Sequence, residues 1–255
     1  MGVIWTPREW QSQPPYLSGV NRNNPIGATL VSAVLPSTGL LDHATPNRVF
    51  TYGAGCTVVP GTDGPVYSNA NQTTAGVIAS AGGFSTFTPT TEWLVIYCRI
   101  FVNPSGARKV LFGDWNAAGS SVSLDLELNS TNQWRTLNSA LVTSDSTAAV
   151  VNGWRNIVLA CGPNQEHFLW VDGALVMTRA AGSARTAGTT TRWMGAGGYT
   201  GTAIGLDSKA TIFAVGNVNL GRDAAVAFNA ADSQVRGTPP SPPSVCVQFC
   251  PHRYQ

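Results

Sequence analysis

The feature that most constrains how this chain can fold is the alternation of apolar and polar side chains over residues 121–128, which read SVSLDLEL. Val122, Leu124, Leu126 and Leu128 share one face of an extended strand, because successive side chains of a strand point to opposite faces. The polar residues between them share the other face. This pattern predicts a strand of an antiparallel sheet with one face in a core and the other in water.

Similar short segments recur between residues 49 and 235, separated by turn-forming residues. Asp172-Gly173 is such a turn, in which glycine supplies the positive φ of a tight hairpin. Many short strands at this spacing predict an all-β fold, a two-sheet antiparallel jelly-roll sandwich over residues 48–236. The strand candidates are Glu92–Val102, Lys109–Gly113, Ser121–Leu128, Trp134–Leu137, Ala148–Val151, Trp154–Cys161, His167–Val171 and Thr211–Val218.

The composition excludes several other classes of protein. Only 11% of the 255 residues are charged, against about 25% in an ordinary soluble domain. Four Glu and two Lys are too few for a helix bundle, and the single predicted helical turn is residues 230–233, capped by Asn229. The 43% hydrophobic content argues against disorder, and the arginines form no basic stripe for nucleic acid. Low charge also weakens the repulsion that keeps free domains apart, so we expect a subunit that packs against neighbours.

Both ends of the chain differ from its centre. Residues 1–47 are rich in Pro, Asn and Ser and show little periodicity, which predicts an extended N-terminal arm. Residues 237–255 begin with a stiff Pro-rich spacer, which predicts a C-terminal tail. Large aromatic side chains in such segments usually find a surface to bury against. The candidate interface residues of the arm and tail are Trp5, Trp10, Tyr16, Phe249 and Cys250.

Cysteine usage and hydropathy indicate the expected compartment. Five cysteines at irregular spacing favour reduced thiols over a disulfide framework, with Cys98 and Cys161 as small core residues. No stretch approaches about 18 consecutive apolar residues, and the first ten residues lack the basic start and apolar run of a secretory signal. We therefore expect neither a membrane span nor secretion.

The stretch of residues 154–177, WRNIVLACGPNQEHFLWVDGALVM, carries the clearest signature. A strand that opens with Trp154 is followed by a turn and by a second strand that ends in Trp-Val-Asp-Gly. This order resembles the laminin-G-like jelly rolls of the concanavalin A-like lectin/glucanase superfamily. Further similar segments are Glu92–Val102, Val110–Gly113, Trp193–Gly195 and residues 212–235, the last of which resembles the family's closing strand and the helix after it.

A second resemblance concerns the opening Trp-Thr-Pro-Arg-x-Trp between Trp5 and Trp10, followed by Gln-Pro-Pro and then the jelly roll. It is similar to virion structural proteins of tailed bacteriophages, and implies a head decoration, fibre or tail accessory assembled in the bacterial host cytoplasm. Our leading hypothesis is a non-enzymatic virion structural protein, a homo-oligomer that docks to other virion proteins through arm and tail. The alternative is a carbohydrate-binding module that contacts host surface glycans.

Candidate catalytic residues are few. Glycosidases of the superfamily carry an E-x-D-x-x-E strand, and Asp125 and Glu127 would share a face. Because Ser123 and Ser130 stand where further acids would fall, we predict a polar surface and no catalytic residue. No G-x-S-x-G motif is present, and His167 is expected to be structural.

Metal and sugar ligands are a separate question. Asp114 and Asp207 could offer oxygen atoms to calcium, but two scattered acids do not make a site. A cysteine–histidine cluster in the tail could hold zinc or form an intermolecular disulfide, although an apolar docking tail fits it as well. We predict no metal and no cofactor. The cluster comprises Cys246, Cys250 and His252, and the glycan-stacking candidates of the alternative hypothesis are Trp115, Trp134 and Tyr199, for which core packing is the other interpretation.

Overall fold

The computed structural model describes the backbone of fourteen stretches of the chain. They are residues 18–20, 22, 25–36, 41–45, 50–52, 56–61, 64–69, 77–79, 88–115, 122–138, 141–194, 204–205, 209–235 and 249–251. The elements in chain order are β1 (Ser18–Val20), α1 (Pro25–Thr29), β2 (Leu30–Val34), β3 (Phe50–Tyr52), β4 (Cys56–Gly61), β5 (Gly64–Asn69), β6 (Val77–Ala79), β7 (Leu94–Val102), β8 (Lys109–Trp115), β9 (Val122–Leu128), β10 (Gln133–Leu137), β11 (Thr143–Ala149), β12 (Gly153–Cys161), β13 (His167–Val171), β14 (Ala174–Arg179), β15 (Thr190–Trp193), β16 (Ile204–Gly205), β17 (Lys209–Gly216), α2 (Gly221–Val235) and β18 (Phe249–Pro251).

Most of these strands form two facing sheets. The first sheet has the order β11-β10-β9-β8-β15-β6-β3, with β16 parallel to one end of β8. The second sheet has the order β14-β13-β12-β7-β17-β5-β4, with β2 paired to β17. All other described pairings in the two sheets are antiparallel. The predicted all-β, two-sheet jelly-roll sandwich is confirmed.

The main core lies between the two sheets and is built from alternate residues of each strand. Cys98 of β7 pairs with Ile157 of β12 on one side and with Phe213 of β17 on the other, and all three are 0% exposed. Cys98 and Cys161 are buried free cysteines, as the sequence predicts. Burial raises the pKa of the Cys161 thiol to about 12, so this group stays protonated at neutral pH.

A buried histidine bridges the two sheets inside this core. The Nδ1 atom of His167, on β13, lies 2.8 Å from the hydroxyl oxygen of Thr136, on β10. Both side chains are 0% exposed. Burial, with a smaller effect of the nearby Arg179 charge, lowers the pKa of His167 to about 3. The ring is therefore neutral at physiological pH and packs as a polar core residue.

A second core covers the outer face of the second sheet. Phe228 of α2 meets Tyr97 of β7 edge to face, with 5.7 Å between ring centroids. Trp170 and Val158 pack in the same cluster, which α1 and β2 extend through Ile26. Burying a side chain such as Phe228 contributes about 1.5–3 kcal/mol. This packing fixes α2 across the sheet beside the β13–β14 hairpin.

Several boundaries differ from the sequence predictions, and the strand predicted at Ala148–Val151 is found at Thr143–Ala149. α2 begins at Gly221, whose N–H donates a 2.9 Å hydrogen bond to the Asn219 side chain, so Asn229 lies inside the helix and does not cap it. The helix implied by the laminin-G resemblance is present. Within the predicted extended arm, β2 is part of the second sheet, where Ala33 pairs with Ala214. Leu30 and Ala33 of β2 pack in the second core. The Pro-rich composition of the arm as a whole hides this short apolar strand in the sequence. No helix in the described part of the chain is long and apolar enough to cross a membrane.

Candidate functional site

Two of the three aromatic candidates for glycan stacking are buried. Trp115 is 0% exposed and Trp134 is 3% exposed. Trp134 packs in the core between the sheets, and Trp115 packs with Leu137 in a separate cluster. This burial agrees with the core-packing interpretation of these two indoles and excludes stacking on sugars, because a sugar cannot reach a ring without exposed surface. Tyr199 lies outside the described residues.

The interface candidates of the arm and tail are placed only in part. Phe249 and Cys250 belong to β18, whose backbone pairs with β1: Val20 is opposite Phe249, and Gly19 is opposite Cys250. A short part of the predicted arm and part of the predicted tail therefore meet in a two-stranded sheet apart from the sandwich sheets. The other predicted contact and ligand residues, which lie outside the described part of the chain, are Trp5, Trp10, Tyr16, Asp207, Cys246 and His252.

The polar face of β9 carries an acid–arginine cluster in place of the predicted wet surface. Asp125 and Glu127 are both 0% exposed. The Nε atom of Arg108 donates a 2.6 Å hydrogen bond to Oε2 of Glu127. On the neighbouring strands, Arg135 lies 3.8 Å from Glu127 Oε1 and forms a bidentate pair with Asp145 at 2.6 and 2.9 Å. The alternation of residues correctly predicts which side chains of β9 share a face, but the side chains of both faces are buried.

Electrostatics in this cluster are dominated by burial. Burial, reinforced by the charge of Glu127, raises the pKa of Asp125 well above its ordinary value. Burial also raises the pKa of Glu127, although the Arg108 charge and hydrogen bond oppose the rise. The Asp145 carboxyl has a lowered pKa, because it accepts hydrogen bonds from Arg135. The cluster is a largely paired, closed network in which burial disfavours the ionised form of Asp125.

The acids of β8 and β9 each have a hydrogen-bond partner in the protein. Ser123 occupies the position of a further acid, and its hydroxyl lies 3.5 Å from a guanidinium nitrogen of Arg185. Asp114 is buried and accepts a 2.6 Å hydrogen bond from the Thr191 hydroxyl. Within the described residues, no three His, Cys, Asp or Glu side chains are grouped as metal ligands. Asp114 therefore has a hydrogen-bonded role between β8 and β15.

An open groove of about 660 Å³ lies between the β13–β14 hairpin and α2, and we refer to it as the hairpin–helix groove. One wall is the hairpin turn. Asp172 and Gly173 both have positive φ, at 51° and 79°, as a two-residue type I′ hairpin requires. The turn approaches the helix closely, since a Cβ on Gly173 would lie 3.6 Å from Asn229. The absence of a side chain at Gly173 thus allows the hairpin to lie close to the helix. The groove is lined by Asp172, Gly173, Ala174, Leu175, Arg222, Val226 and Asn229.

The other wall is one face of α2. Arg222, Val226 and Asn229 follow the i, i+4, i+7 spacing that places side chains along the same face of a helix. Val226 is 46% exposed, and Leu175 opposite it on β14 is 52% exposed. The groove therefore combines two aliphatic side chains, Leu175 and Val226, with the guanidinium of Arg222 near the beginning of the helix. The side-chain amide of Asn229 lies three residues beyond Val226.

Hydrogen bonds hold the polar groups of the groove in place. Oδ1 of Asp172 accepts a 2.9 Å bond from the Asn156 backbone N–H, and Oδ2 lies 3.4 Å from Nη1 of Arg155. The Asn156 side chain donates a 2.9 Å bond to Oδ1 of Asn229. The Asn229 side-chain oxygen thus has a partner in the protein, whereas its amide nitrogen is a donor that bonds to none of the described residues. Such a site offers a fixed acceptor, a fixed donor and a cation around apolar side chains.

Sequence reasoning missed this groove, although part of its signal was readable. The Asp172-Gly173 turn and a helix after the last strand are both local features, and both are predicted. Their proximity is not local, since Gly173 and Asn229 are 56 positions apart and meet only because α2 packs on the second sheet. Leu175 and Val226 are aliphatic, so the expectation that sugars stack on aromatic rings does not select them.

A hollow of about 310 Å³ lies beside α1 and β2. Its cation, Arg22, donates hydrogen bonds to the carbonyl oxygens of Gly27, Leu30 and Ala44 at 3.1, 2.6 and 3.0 Å. Arg22 therefore ties α1 and β2 to the loop that follows β2. This use of the guanidinium leaves the hairpin–helix groove as the better candidate for a ligand site.

Comparison with known proteins adds information about the fold. No protein-family model matches the chain. No curated protein sequence matches it either. Solved structures do match, at low sequence identity.

Three of these structures illustrate the likeness. The binding domain of Paraclostridial Mosquitocidal Protein 1 superposes with a TM-score of 0.58 at 13% identity, over 80% of this chain and 52% of that one. Trypanosoma rangeli sialidase gives 0.60 at 16% identity, over 88% and 38%. Botulinum neurotoxin type C, whose cell entry is dependent upon interaction with two ganglioside molecules, gives a TM-score of 0.58 at 12% identity, over 81% of this chain and 52% of that one.

This chain matches about half or less of the length of each of those proteins. At identities of 12–16%, the likeness shows the fold and leaves the activity open. The chain is a jelly-roll-like β-sandwich of the kind found in these toxin and sialidase structures.

Proposed function

We propose that this chain is a non-catalytic carbohydrate-binding module whose site is the hairpin–helix groove. The geometry of that groove carries the proposal. Its volume of about 660 Å³ lies within the roughly 300–1,000 Å³ typical of small-ligand sites. Sugars present hydroxyl groups at their edges and apolar C–H surface on their ring faces. Asp172 and Asn229 match the hydroxyls as acceptor and donor, and Leu175 and Val226 match the apolar surface.

Two of the structural neighbours support the same function. One structural neighbour is a sialidase, and another is described by its interaction with ganglioside molecules. Both names refer to glycans or glycolipids. Fold likeness alone does not transfer a ligand, so the proposal depends on the groove residues.

A binding experiment with a steric block tests the proposal. The full chain is applied to a glycan array, and its best ligands are then titrated against Val226→Trp, which fills the groove. Val218→Trp is the matched control, because Val218 is 44% exposed and lies outside the groove, against 46% for Val226. We expect Val226→Trp to weaken binding at least tenfold and Val218→Trp to leave it unchanged. Absence of glycan binding by the full chain, or equal binding by both variants, contradicts the proposal.

A second candidate function is assembly into a larger particle, such as a virion built in the bacterial cytoplasm. The pairing of β1 with β18 favours it, because each strand has three residues. A two-stranded ribbon of this length is not stable alone in water, and a neighbouring subunit would supply the surface it lacks. We then expect the full chain to form homo-oligomers.

Light scattering tests this second function. Deletion of residues 1–20 removes β1 and stops before α1, so the sandwich strands stay intact. We expect the full chain to elute as an oligomer and the truncated chain as a folded monomer. A monomeric full chain, or an unchanged oligomer after deletion, argues against assembly through the chain ends.

A further inference from the structure

We propose that the hairpin–helix groove selects N-acylated acidic sugars, saccharides that carry both a carboxylate and an acylamino group. This inference rests on the proposed carbohydrate-binding function and adds the ligand class. Two features of the groove support it: the charge of Arg222, and the apolar surface of Leu175 and Val226.

Two charged residues, Asp172 and Arg222, line the groove. The carboxylate of Asp172 has its own counter-ion, because Nη1 of Arg155 lies 3.4 Å from Oδ2. Arg222 forms no hydrogen bond or ion pair with any of the described residues. The groove therefore holds one guanidinium in excess at its helix end. A planar guanidinium binds a carboxylate in bidentate fashion, which makes an acidic ligand the complementary one.

The helix geometry keeps the nearest other acid away from this guanidinium. Asp223 follows Arg222 directly, and adjacent helix residues are about 100° apart around the axis. Asp223 is absent from the lining of the groove, whereas Val226 and Asn229 share the Arg222 face. The charge presented to a ligand is thus that of Arg222.

Leu175 and Val226 supply the apolar surface of the groove. They are 52% and 46% exposed, and they line the groove together with Arg222 and Asp172. Aliphatic side chains offer no flat platform for a sugar ring, but they form a suitable contact for a methyl group. An acyl methyl placed there would be flanked by its own amide N–H, for which the Asp172 carboxylate is the acceptor.

A comparison of matched ligands tests the inference. The full chain is titrated by NMR with the methyl glycoside of N-acetylneuraminic acid, with the methyl ester of that glycoside, and with N-acetylglucosamine and glucuronic acid. We expect the first ligand to bind at least tenfold more tightly than each of the others. Removing either the carboxylate or the acyl group removes one of the two contacts.

A variant of the cation separates this inference from the broader function. Arg222→Gln removes the charge and keeps a shorter polar side chain, and Arg179→Gln makes the same change on β14, outside the groove. Arg222→Gln should weaken binding of the acidic ligand at least tenfold, leave its methyl ester unchanged, and retain the melting temperature, since Arg222 is exposed. Arg179→Gln should change neither affinity.

The outcomes are distinguishable. Equal affinity for neutral and acidic sugars, with Val226→Trp still blocking both, overturns the inference and leaves the carbohydrate-binding function standing. Acidic-sugar binding that survives Arg222→Gln also overturns the inference. Failure of every sugar to bind overturns both proposals.

Discussion

The indole Nε1 of Trp115 donates a 3.0 Å hydrogen bond to Oδ2 of Asp125, and both side chains are completely buried. Oδ1 of the same carboxyl has no hydrogen-bond partner in the described part of the chain. The indole bond favours the ionised form, yet burial and the charge of Glu127 outweigh it and raise the pKa. Asp125 thus opposes folding at neutral pH, where the unfolded chain keeps this group ionised and hydrated.

Asp125→Asn is expected to stabilise the protein at pH 7 by about 1–3 kcal/mol, since it removes the cost of burying a carboxyl that is ionised in the unfolded chain and retains an acceptor for the indole. The folded-state pKa is raised, so the contribution of Asp125 to stability is present below its ordinary pKa of about 4 and is lost as pH rises. The gain should therefore shrink at pH 4. Denaturant unfolding at both pH values measures it. Asp145→Asn, in a partly exposed pair, should lower stability by about 0.5 kcal/mol. Destabilisation by Asp125→Asn at pH 7 would show that the charge is structurally needed.

His167 is expected to give the opposite pH dependence. Its folded-state pKa of about 3 lies below the unfolded value of about 6.5, so the unfolded chain binds a proton first as pH falls. Stability should decrease from pH 7.5 to pH 5 by about 2 kcal/mol on this account. His167→Gln keeps a partner for Thr136 and should flatten this slope. An equally steep decrease in the variant would assign the acid sensitivity to other groups.

Gly173→Ala is expected to destabilise the protein by about 1 kcal/mol, because the positive φ of 79° is unfavourable for a residue with a Cβ. The added methyl group itself meets only ordinary contacts, the closest at 3.6 Å. Gly182→Ala is the control, since its Cβ would have no neighbour within 4 Å. Thermal melting of both variants measures the difference, and a neutral Gly173→Ala would mean that the turn relaxes.

Phe228→Ala is expected to cost about 3–5 kcal/mol, the usual range for truncating a buried aromatic residue. The change opens the core between α2 and the second sheet at the contact with Tyr97. Val218→Ala, at a residue 44% exposed, should change stability by less than about 0.5 kcal/mol. Chemical unfolding compares them. Equal effects would indicate that α2 contributes little to the folded state.

Local chemistry explains which features were predictable from the sequence. The Asp172-Gly173 hairpin follows from the residues of the turn itself, and the observed φ values agree with it. The apolar face of β9 follows from alternation, and Leu124 and Leu126 do lie in the core. The helix boundary required a choice between two asparagines, and Asn219, not Asn229, makes the capping bond.

Long-range packing explains what could not be predicted. Alternation shows that Asp125 and Leu126 face opposite ways, but it does not show that both faces are covered. The same holds for Trp115, whose position near a strand end suggested exposure. The hairpin–helix groove depends on residues as distant as Leu175 and Arg222, which no local pattern connects.

The place of β17 in the second sheet has a consequence for biosynthesis. It is inserted between β7 and the strands β2 and β5, where Ile212 pairs with Arg99, 113 positions earlier in the chain. Until residue 216 has left the ribosome, β7 has an open edge on the side opposite β12. An open edge with apolar neighbours is a template for pairing with other chains. The nascent protein must keep that edge from other polypeptides until β17 has been synthesised.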